Sequence, residues 1–492
     1  MRRRTMQDRV CRSHHETLSV GFGSAIDDQA QPTRLPRWAQ HGDDVIVLEV
    51  ACRSLASGRD PEDVAIDAHV DAYDLDAALP LAQQVSDIEV RQCGTELVQL
   101  HLNTHEAQRT TTPYSGGAMQ CDYFDSDRCR SCTLMGTPYA TQLAQKDARV
   151  REILARQIPG EVWSEPFASA ESGFRNKAKL AVGGSVREPT VGILDRGGLG
   201  VDLRDCGIHE AGLREVLPLI AAFISHANLE PYHLASRRGE LKNLLVTLSP
   251  TGELMLRFVL RSQESIARIR KHLPTLRESI PQLRVVSANI LPEHRAVLEG
   301  ELEIALTEQQ TMPMQLSAVT VHLRPQSFFQ TNTAVADALY TQATEWCREV
   351  DPHDIWDLYC GVGGFGLHLA AAGRRVVGVE SSAEAITSAR ISAADLPGEL
   401  EFVVGDATAY AARETGADLV VVNPPRRGIG DLADHLQRSD VRTVVYSSCN
   451  AESLANDLAR MPDFQPTRAR MFDMFPQTWH QEVLVLLQRR PN

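Results

Sequence analysis

Toward the C-terminus the apolar positions gather into short runs separated by intervals of helical length. The runs at 354–360, 375–380, 401–404, 418–423, 443–449 and 482–488 are rich in Val, Ile and Leu and predict strands. From residue 321 onward this regular alternation predicts a doubly wound parallel sheet, an α/β fold. Between 161 and 320 the pattern is less regular. Runs at 177–183, 244–248, 254–260, 285–290 and 302–305 read as strands, and amphipathic spacing at 211–227 and 264–279 reads as two helices. That predicts an α+β domain with an antiparallel sheet. A further helix is predicted over about 136–157, with Leu143, Val150, Ile153 and Leu154 on one face. Residues 1–118 differ: a strand-like core, Val45-Ile46-Val47-Leu48, lies within 43–52, and Asp and Ala at mixed spacing over 62–85 fit short helices.

In open α/β sheets, ligands bind outside the carboxyl ends of the strands, so those ends are where chemistry is sought. The run at 354–360 leads into Gly361-Val362-Gly363-Gly364-Phe365-Gly366, a turn whose glycines let backbone approach a ligand. Glu380 ends the next strand and can accept from ribose hydroxyls, and Asp406 follows the third and can accept from an adenine amino group. This set suits S-adenosylmethionine better than a dinucleotide, whose G-x-G-x-x-G spacing is absent. The fourth strand ends Asn423-Pro424-Pro425-Arg426-Arg427-Gly428. The prolines fix the backbone there, and an Arg stands where amino-methylating enzymes place a stacking aromatic.

The run Thr443-Val444-Val445-Tyr446-Ser447-Ser448 ends at Cys449, and Glu482 opens the last strand after Thr478-Trp479-His480-Gln481. A thiolate adding to C6 of uracil makes C5 nucleophilic, and a carboxylate must then remove the C5 proton. Cys449 as nucleophile and Glu482 as base fit that chemistry. The alternatives are an inert buried thiol and a solvated strand end. His480 has no assigned catalytic role, and Cys360 reads as a packing residue of the glycine turn. A cytosine-C5 methyltransferase would place its nucleophile in a Pro-Cys pair, which is absent.

The chain has 492 residues and a net charge of −14, weak evidence against a nucleic-acid partner. Charge is uneven: residues 1–118 carry 11 Arg and no Lys against 18 Asp and Glu. Global charge says little about a local basic groove. No run is long enough to span a membrane, and no apolar segment follows Met1-Arg2-Arg3-Arg4, so a secretory signal is not expected and the cytoplasm is. Ten cysteines are too few for a disulfide scaffold. Cys121, Cys129, Cys132 and Cys206, spaced C-x7-C-x2-C with a distant fourth, fit zinc or, better, an iron–sulfur cluster. Arg175, Lys177 and Lys179, and Arg237 with Lys242, are candidate RNA contacts; the alternative is a solvated charged face.

These residues, with Gln326-Ser327-Phe328-Phe329-Gln330-Thr331-Asn332, resemble the 5-methyluridine RNA methyltransferases (the RumA, RumB and TrmA family) over about residues 119–492. The resemblance implies a Rossmann-like S-adenosylmethionine-dependent methyltransferase domain. It implies that Gln330, Tyr359, Glu380 and Asn423, beside Gly361 and Asp406, contact S-adenosylmethionine. It implies Cys449 as nucleophile, Glu482 as base, and a [4Fe–4S] cluster on Cys121, Cys129, Cys132 and Cys206. The short cysteine loop is similar to that of the branch acting on 23S rRNA at U747. The substrate expected is therefore 23S rRNA, and the enzyme is expected to be a monomer. Another rRNA or tRNA uridine is one alternative, and a non-catalytic iron–sulfur RNA-binding protein is another. The domains expected are an acidic extension (1–118), a cysteine loop with its helix (119–160), a central α+β RNA-binding domain (161–320) and the methyltransferase domain (321–492). Residues 1–118 are either a small acidic domain or an extension preceding a start at Met119.

Overall fold

The computed structural model describes residues 47–52, 66–71, 118–294 and 297–491. The chain divides into two compact units, Met1–Ser115 and Gly116–Asn492. In the first, strands β1 (Val47–Cys52) and β2 (Ile66–Asp71) pair antiparallel, Val47 opposite Asp71. The helical reading of 62–85 gives way at β2 to a strand. Ile66, Ala68 and Val70 alternate with Asp67, His69 and Asp71, the period of two that a strand requires. The remaining expectations for residues 1–117 lie outside the described residues.

The second unit opens on the cysteine loop, with the one-turn helix α1 (Asp122–Asp125), and runs into α2 (Tyr139–Leu154). Next come β3 (Lys177–Gly184), β4 (Pro189–Leu194), β5 (Gly200–Asp202), α3 (Ala211–His226), β6 (Leu241–Leu248), β7 (Leu254–Leu260), α4 (Ile266–Ser279), β8 (Leu283–Ile290) and β9 (Leu302–Ala305). Their strands form one sheet in the order β5-β4-β3-β6-β7-β8-β9. Leu213, Leu217, Ile220 and Ile224 of α3, at helical spacing, pack with Ile269 and Leu276 of α4 onto Leu180, Val182, Leu244, Val246, Leu256 and Phe258. The sheet is not wholly antiparallel as expected. β7 and β8 run parallel, because α4 between them is a crossover long enough to return the chain to the same edge.

β10 (Met312–Gln315) and β11 (Thr320–Leu323) then form a hairpin, so the change of pattern at residue 321 falls inside a strand pair. The rest alternates through α5 (Thr333–Val350), β12 (Asp354–Leu358), α6 (Gly364–His368), β13 (Arg375–Glu380), α7 (Ala383–Ala393), β14 (Glu399–Val404), α8 (Ala407–Arg413), β15 (Leu419–Val422), α9 (Asp431–Arg438), β16 (Thr443–Ser448), α10 (Ala451–Ala459), β17 (Phe464–Phe472) and β18 (Glu482–Arg489). The sheet order is β14-β13-β12-β15-β16-β18-β17. Its first five strands are parallel, β18 runs antiparallel to them and β17 antiparallel to β18, so the sheet is mixed and not all parallel. β17 escaped the sequence reading because Pro466, Arg468 and Arg470 interrupt its apolar pattern; it is an edge strand with a bulge at Pro466.

Both faces of this sheet are covered. Ile355, Val376, Val421, Val445 and Leu484 point into a core shared with α5, α7 and the β10–β11 hairpin. Trp356, Val377, Val420, Val444 and Val485 point into the opposite core, with α9, α10, and Val150 and Leu154 of α2. The polar side of α2 grips the loop between β17 and β18. Lys146 Nζ donates to Asp473 Oδ1 at 2.6 Å, to the Phe475 carbonyl at 3.0 Å and to the His480 carbonyl at 3.4 Å. One turn earlier, Gln142 and Gln477 exchange two bonds. Gln142 Nε2 donates to Gln477 Oε1 at 2.9 Å, and Gln477 N donates to Gln142 Oε1 at 3.0 Å.

Lys146 and Asp473 are both fully buried, so removing one leaves the other an uncompensated buried charge. Lys146→Met should therefore destabilise the fold by about 3–5 kcal/mol in denaturant unfolding. Lys146→Met with Asp473→Leu should recover most of that loss; equal instability in the double variant would refute the ion pair's role.

Candidate active site

The antiparallel register of β16 and β18 sets Ser448 opposite Val483 and Ser447 opposite Leu484. Cys449 follows β16 directly, and the Glu482 charge acts on its thiol. Ser447 Oγ donates to Glu482 Oε1 at 2.6 Å. Glu482 is 2% exposed, and burial pushes its carboxyl up to about 7 against the Ser447 hydrogen bond. Cys449 is half-buried. Burial and then the Glu482 charge push its thiol up, while the Arg426 guanidinium opposes them with its charge and a hydrogen bond. A reduced thiol, a carboxylate that titrates near neutrality and a cation thus share one strand end.

Arg426 lies in the proline loop after β15, and that loop is anchored from below. The buried Asp457 carboxylate accepts from Ile429 N at 2.8 Å and from the Tyr446 hydroxyl at 2.7 Å. Gly428 has φ +82°, and a Cβ there would lie 2.2 Å from Asp457 Oδ2, so only glycine fits. Arg426 Nη2 also reaches His480, 3.3 Å from Nδ1. Burial, and then the Arg426 and Lys146 cations, depress the His480 pKa and hold the ring neutral. The contact of Arg426 with the thiol was not foreseen. The motif had marked the residue only as a missing aromatic.

The cofactor-side candidates lie at the neighbouring strand ends, at the switch point where β12 separates β13 from β15. Tyr359 (φ +63°) and Gly361 (φ +55°) make the turn after β12. Gly361 N donates to Glu380 Oε2 at 3.3 Å, and Glu380 Oε1 accepts from Ser382 N at 2.9 Å. Asp406 caps α8 by accepting from Ala409 N at 2.8 Å and stays exposed. Asn423 N donates to the Leu358 carbonyl at 3.4 Å, tying the ends of β15 and β12 together. Gln330 is buried, and its carbonyl accepts from Asn176 Nδ2 at 3.1 Å. Two carboxylates flanking an open glycine turn are a donor-seeking set suited to the ribose and amino groups of S-adenosylmethionine. Sequence reasoning passed over Asp357, wholly buried beneath the turn. Its Oδ2 accepts from Gly366 N at 2.8 Å and its Oδ1 has no protein partner. Burial, with the Glu380 charge added, pushes that carboxyl up to about 7. Cys360 is buried in the core, and its thiol is pushed well up by burial.

Cys121, Cys129, Cys132 and Cys206 are half-buried free thiols. They share one environment: burial, then the charges of Cys206, Cys129 and Cys121, push the Cys132 thiol up to about 12, and Arg175 opposes this. No group of three or more His, Cys, Asp or Glu among the described residues is placed to hold a single metal ion. Of the candidate RNA contacts, Arg175 lies beside Cys132 and Cys206, its Nε donating to the Lys177 carbonyl at 2.9 Å. Lys177 and Lys179 alternate with the buried Ala178 and Leu180, on the sheet face away from α3 and α4. Burial and then the Lys179 and Arg257 charges push the Lys177 amine down to about 8. Arg237 is exposed in the turn after β5 and α3, and Lys242 Nζ donates to the Glu293 carbonyl at 2.7 Å while lying 4.7 Å from the Tyr232 ring centroid. Among the described residues, no helix is long and apolar enough to cross a membrane.

Two family models match: a methyltransferase domain over residues 355–451 and tRNA (uracil-5-)-methyltransferase over residues 304–397. The 23S rRNA (uracil(747)-C(5))-methyltransferases RlmC of Escherichia coli strain K12 and of Shigella boydii are each 47% identical over 376 residues. That stretch is 76% of this chain and the whole length of each relative. The crystal structure of Pyrococcus abyssi tRNA (uracil-54, C5)-methyltransferase in complex with S-adenosyl-L-homocysteine superposes with a TM-score of 0.61 at 26% identity, covering 72% of this chain and 85% of that one. With a relative this similar along its full length, the chain belongs to the RlmC family of RNA uracil-C5 methyltransferases.

Proposed function

We propose that this protein methylates C5 of a uridine in 23S rRNA, at the position equivalent to uracil 747, by covalent catalysis from Cys449. The observation that carries the reading is the convergence of Glu482 and Arg426 on the Cys449 thiol at the paired ends of β16 and β18. S-adenosylmethionine, when bound at the Gly361 turn among Gln330, Tyr359, Glu380, Asp406 and Asn423, supplies the methyl group to C5. The Cys449 thiolate forms a bond to C6, and the C5–C6 π electrons become available at C5. Arg426 offsets the negative charge that burial and Glu482 disfavour on the sulfur. Glu482 then takes the C5 proton, the electron pair restores the C5–C6 double bond, and the C6–S bond breaks to return the thiolate. Ser447 orients the carboxylate for that transfer. The target base must leave its stack to reach Cys449.

The same reading places a [4Fe–4S] cluster on Cys121, Cys129, Cys132 and Cys206. Its support is the shared environment of four reduced thiols with one cation, Arg175. In a cubane each of the four thiolates binds a different iron, so four cysteines suffice to hold one cluster. The cluster would hold the cysteine loop, which Leu134 N ties to the Gln477 carbonyl at 3.0 Å. In this reading residues 161–320 bind RNA, with Lys177, Lys179, Arg237 and Lys242 among the contacts, and residues 321–492 carry the methyl transfer. The enzyme acts as a monomer in the cytoplasm.

Cys449→Ala should abolish 5-methyluridine formation while RNA still binds. Glu482→Gln should accumulate a protein–RNA adduct stable to denaturant. Glu482 accepts a proton only when ionised, so breakdown of the wild-type adduct should slow as pH falls through about 7; pH-independent breakdown would exclude it as the base. For Arg426→Gln, alkylation of Cys449 at neutral pH, followed by peptide mass spectrometry, should slow roughly tenfold, the loss of a charge-assisted hydrogen bond. An unchanged rate would remove Arg426 from the thiol's electrostatics. Protein prepared without oxygen should carry about four irons per chain and lose them on Cys132→Ser; one zinc and no iron would overturn the cluster.

A further inference from the structure

Two aromatic side chains stand among the exposed large apolar residues described, Phe328 at 66% and Trp479 at 40%. Trp479 follows a run, Asp473 to Gln477, that is buried except for the half-buried Phe475. The backbone that presents it is fixed. Lys146 and Gln142 hold the loop behind it, and Thr478 Oγ1 donates to the Phe475 carbonyl at 2.9 Å. His480 N donates back to Thr478 Oγ1 at 3.3 Å, and the His480 carbonyl accepts from Lys146. A ring on so constrained a turn is held out in water, at the cost of the apolar burial it forgoes. The Arg149 guanidinium, on the exposed side of α2, sits 5.4 Å from the ring centroid. Trp479 adjoins His480, which contacts Arg426 beside the Cys449 thiol, and it precedes Glu482 by three residues.

Flipping one base out of a strand leaves its neighbour without a stacking partner. Single-stranded RNA is bound by aromatic rings and guanidinium planes that offer a replacement, with a cation nearby for the phosphate. We propose that Trp479, backed by Arg149, is a stacking platform for the nucleobase next to the uridine that enters the Cys449 site. The inference rests on the methyl-transfer reading above and adds a specific RNA subsite to it. The ring and the guanidinium recognise a π face and an adjacent negative charge, so the platform takes any base.

The test uses the full chain and an RNA hairpin carrying the target uridine with 2-aminopurine beside it. Trp479→Ala should raise the RNA KM about tenfold and leave kcat at saturating RNA within about twofold. It should also abolish the fluorescence quenching of 2-aminopurine on binding. Trp479→Phe should restore most of both, and Arg149→Gln should raise KM with a steeper effect at low salt. An unchanged KM and unchanged quenching in Trp479→Ala would overturn the platform. So would a fall in kcat alone, which would mean that the ring only steadies His480 and Glu482, or a loss of self-association as the sole effect. Glu482→Gln run alongside separates the two levels: an adduct there with normal KM in Trp479→Ala refutes the platform only, whereas no adduct refutes the reading beneath it.

Discussion

The ion pair of Lys146 with Asp473 is the constraint on which the site depends. Both side chains are fully buried, 2.6 Å apart, and burial pushes the Lys146 amine down while Asp473 holds it charged. A buried pair of this kind adds little net stability over apolar packing, but it tolerates no displacement of either partner. Lys146 belongs to α2 and Asp473 to the end of β17's extension, so the pair fixes the loop between the last two strands. The spare Nζ protons reach the Phe475 and His480 carbonyls and extend that grip to within two residues of Glu482. The proposed role of Glu482 needs such placement, since small misplacements of a catalytic group are costly.

Chemical demands at the strand ends conflict, and the geometry shows how they are balanced. In the proposed reaction Glu482 must be ionised to accept a proton, yet its charge disfavours the thiolate of Cys449. Placing the carboxylate in full burial raises it to about 7, so at neutrality it is ionised part of the time and readily reprotonated. Arg426 faces the sulfur and answers the remaining repulsion. That cation in turn needs a fixed loop, which Asp457 supplies through Ile429 N and the Tyr446 hydroxyl. Tyr446 lies in β16 itself, so the strand that leads to Cys449 also anchors the loop whose cation acts on that thiol.

Much of this was legible in the residues. The five parallel strands were found because Val- and Ile-rich runs buried on both faces give uninterrupted apolar signals. Cys449, Glu482, Gly361 and Glu380 were singled out because strand ends are where such sheets do chemistry, and all four stand at or just beyond the ends of strands. What escaped had no local signature. β17 hides behind Pro466 and two arginines, β5 is a three-residue edge strand that begins at Gly200, and β4 beside it is broken by Gly192. The parallel turn of β7 to β8 depends on where α4 crosses the sheet, which periodicity does not encode. Lys146 reads as one charged residue on an amphipathic helix, and only its partner 327 residues away gives it meaning. Arg175 and Arg426 likewise have neighbours that no local pattern shows: one acts on the thiols of Cys132 and Cys206 and the other on that of Cys449.

The net charge misled for a related reason: it counts cations that the fold has already neutralised and anions far from any ligand. Arg257 is buried in the central sheet and bound by Glu303 and Glu299, so it contributes nothing to an RNA-facing potential. Lys177 stands nearby with its amine pushed down to about 8, largely by burial and by Lys179 and Arg257. At neutral pH it remains mostly protonated, but at a free-energy cost that an approaching phosphate would relieve. A cation held in that condition favours an anion more than a fully solvated lysine does, since the anion restores what burial removed. A few such groups on one sheet face can outweigh a distant excess of carboxylates, because exposed charges beyond about 10 Å are screened. An acidic chain can therefore hold a local group of cations on one sheet face, and in the proposed reading that face meets RNA.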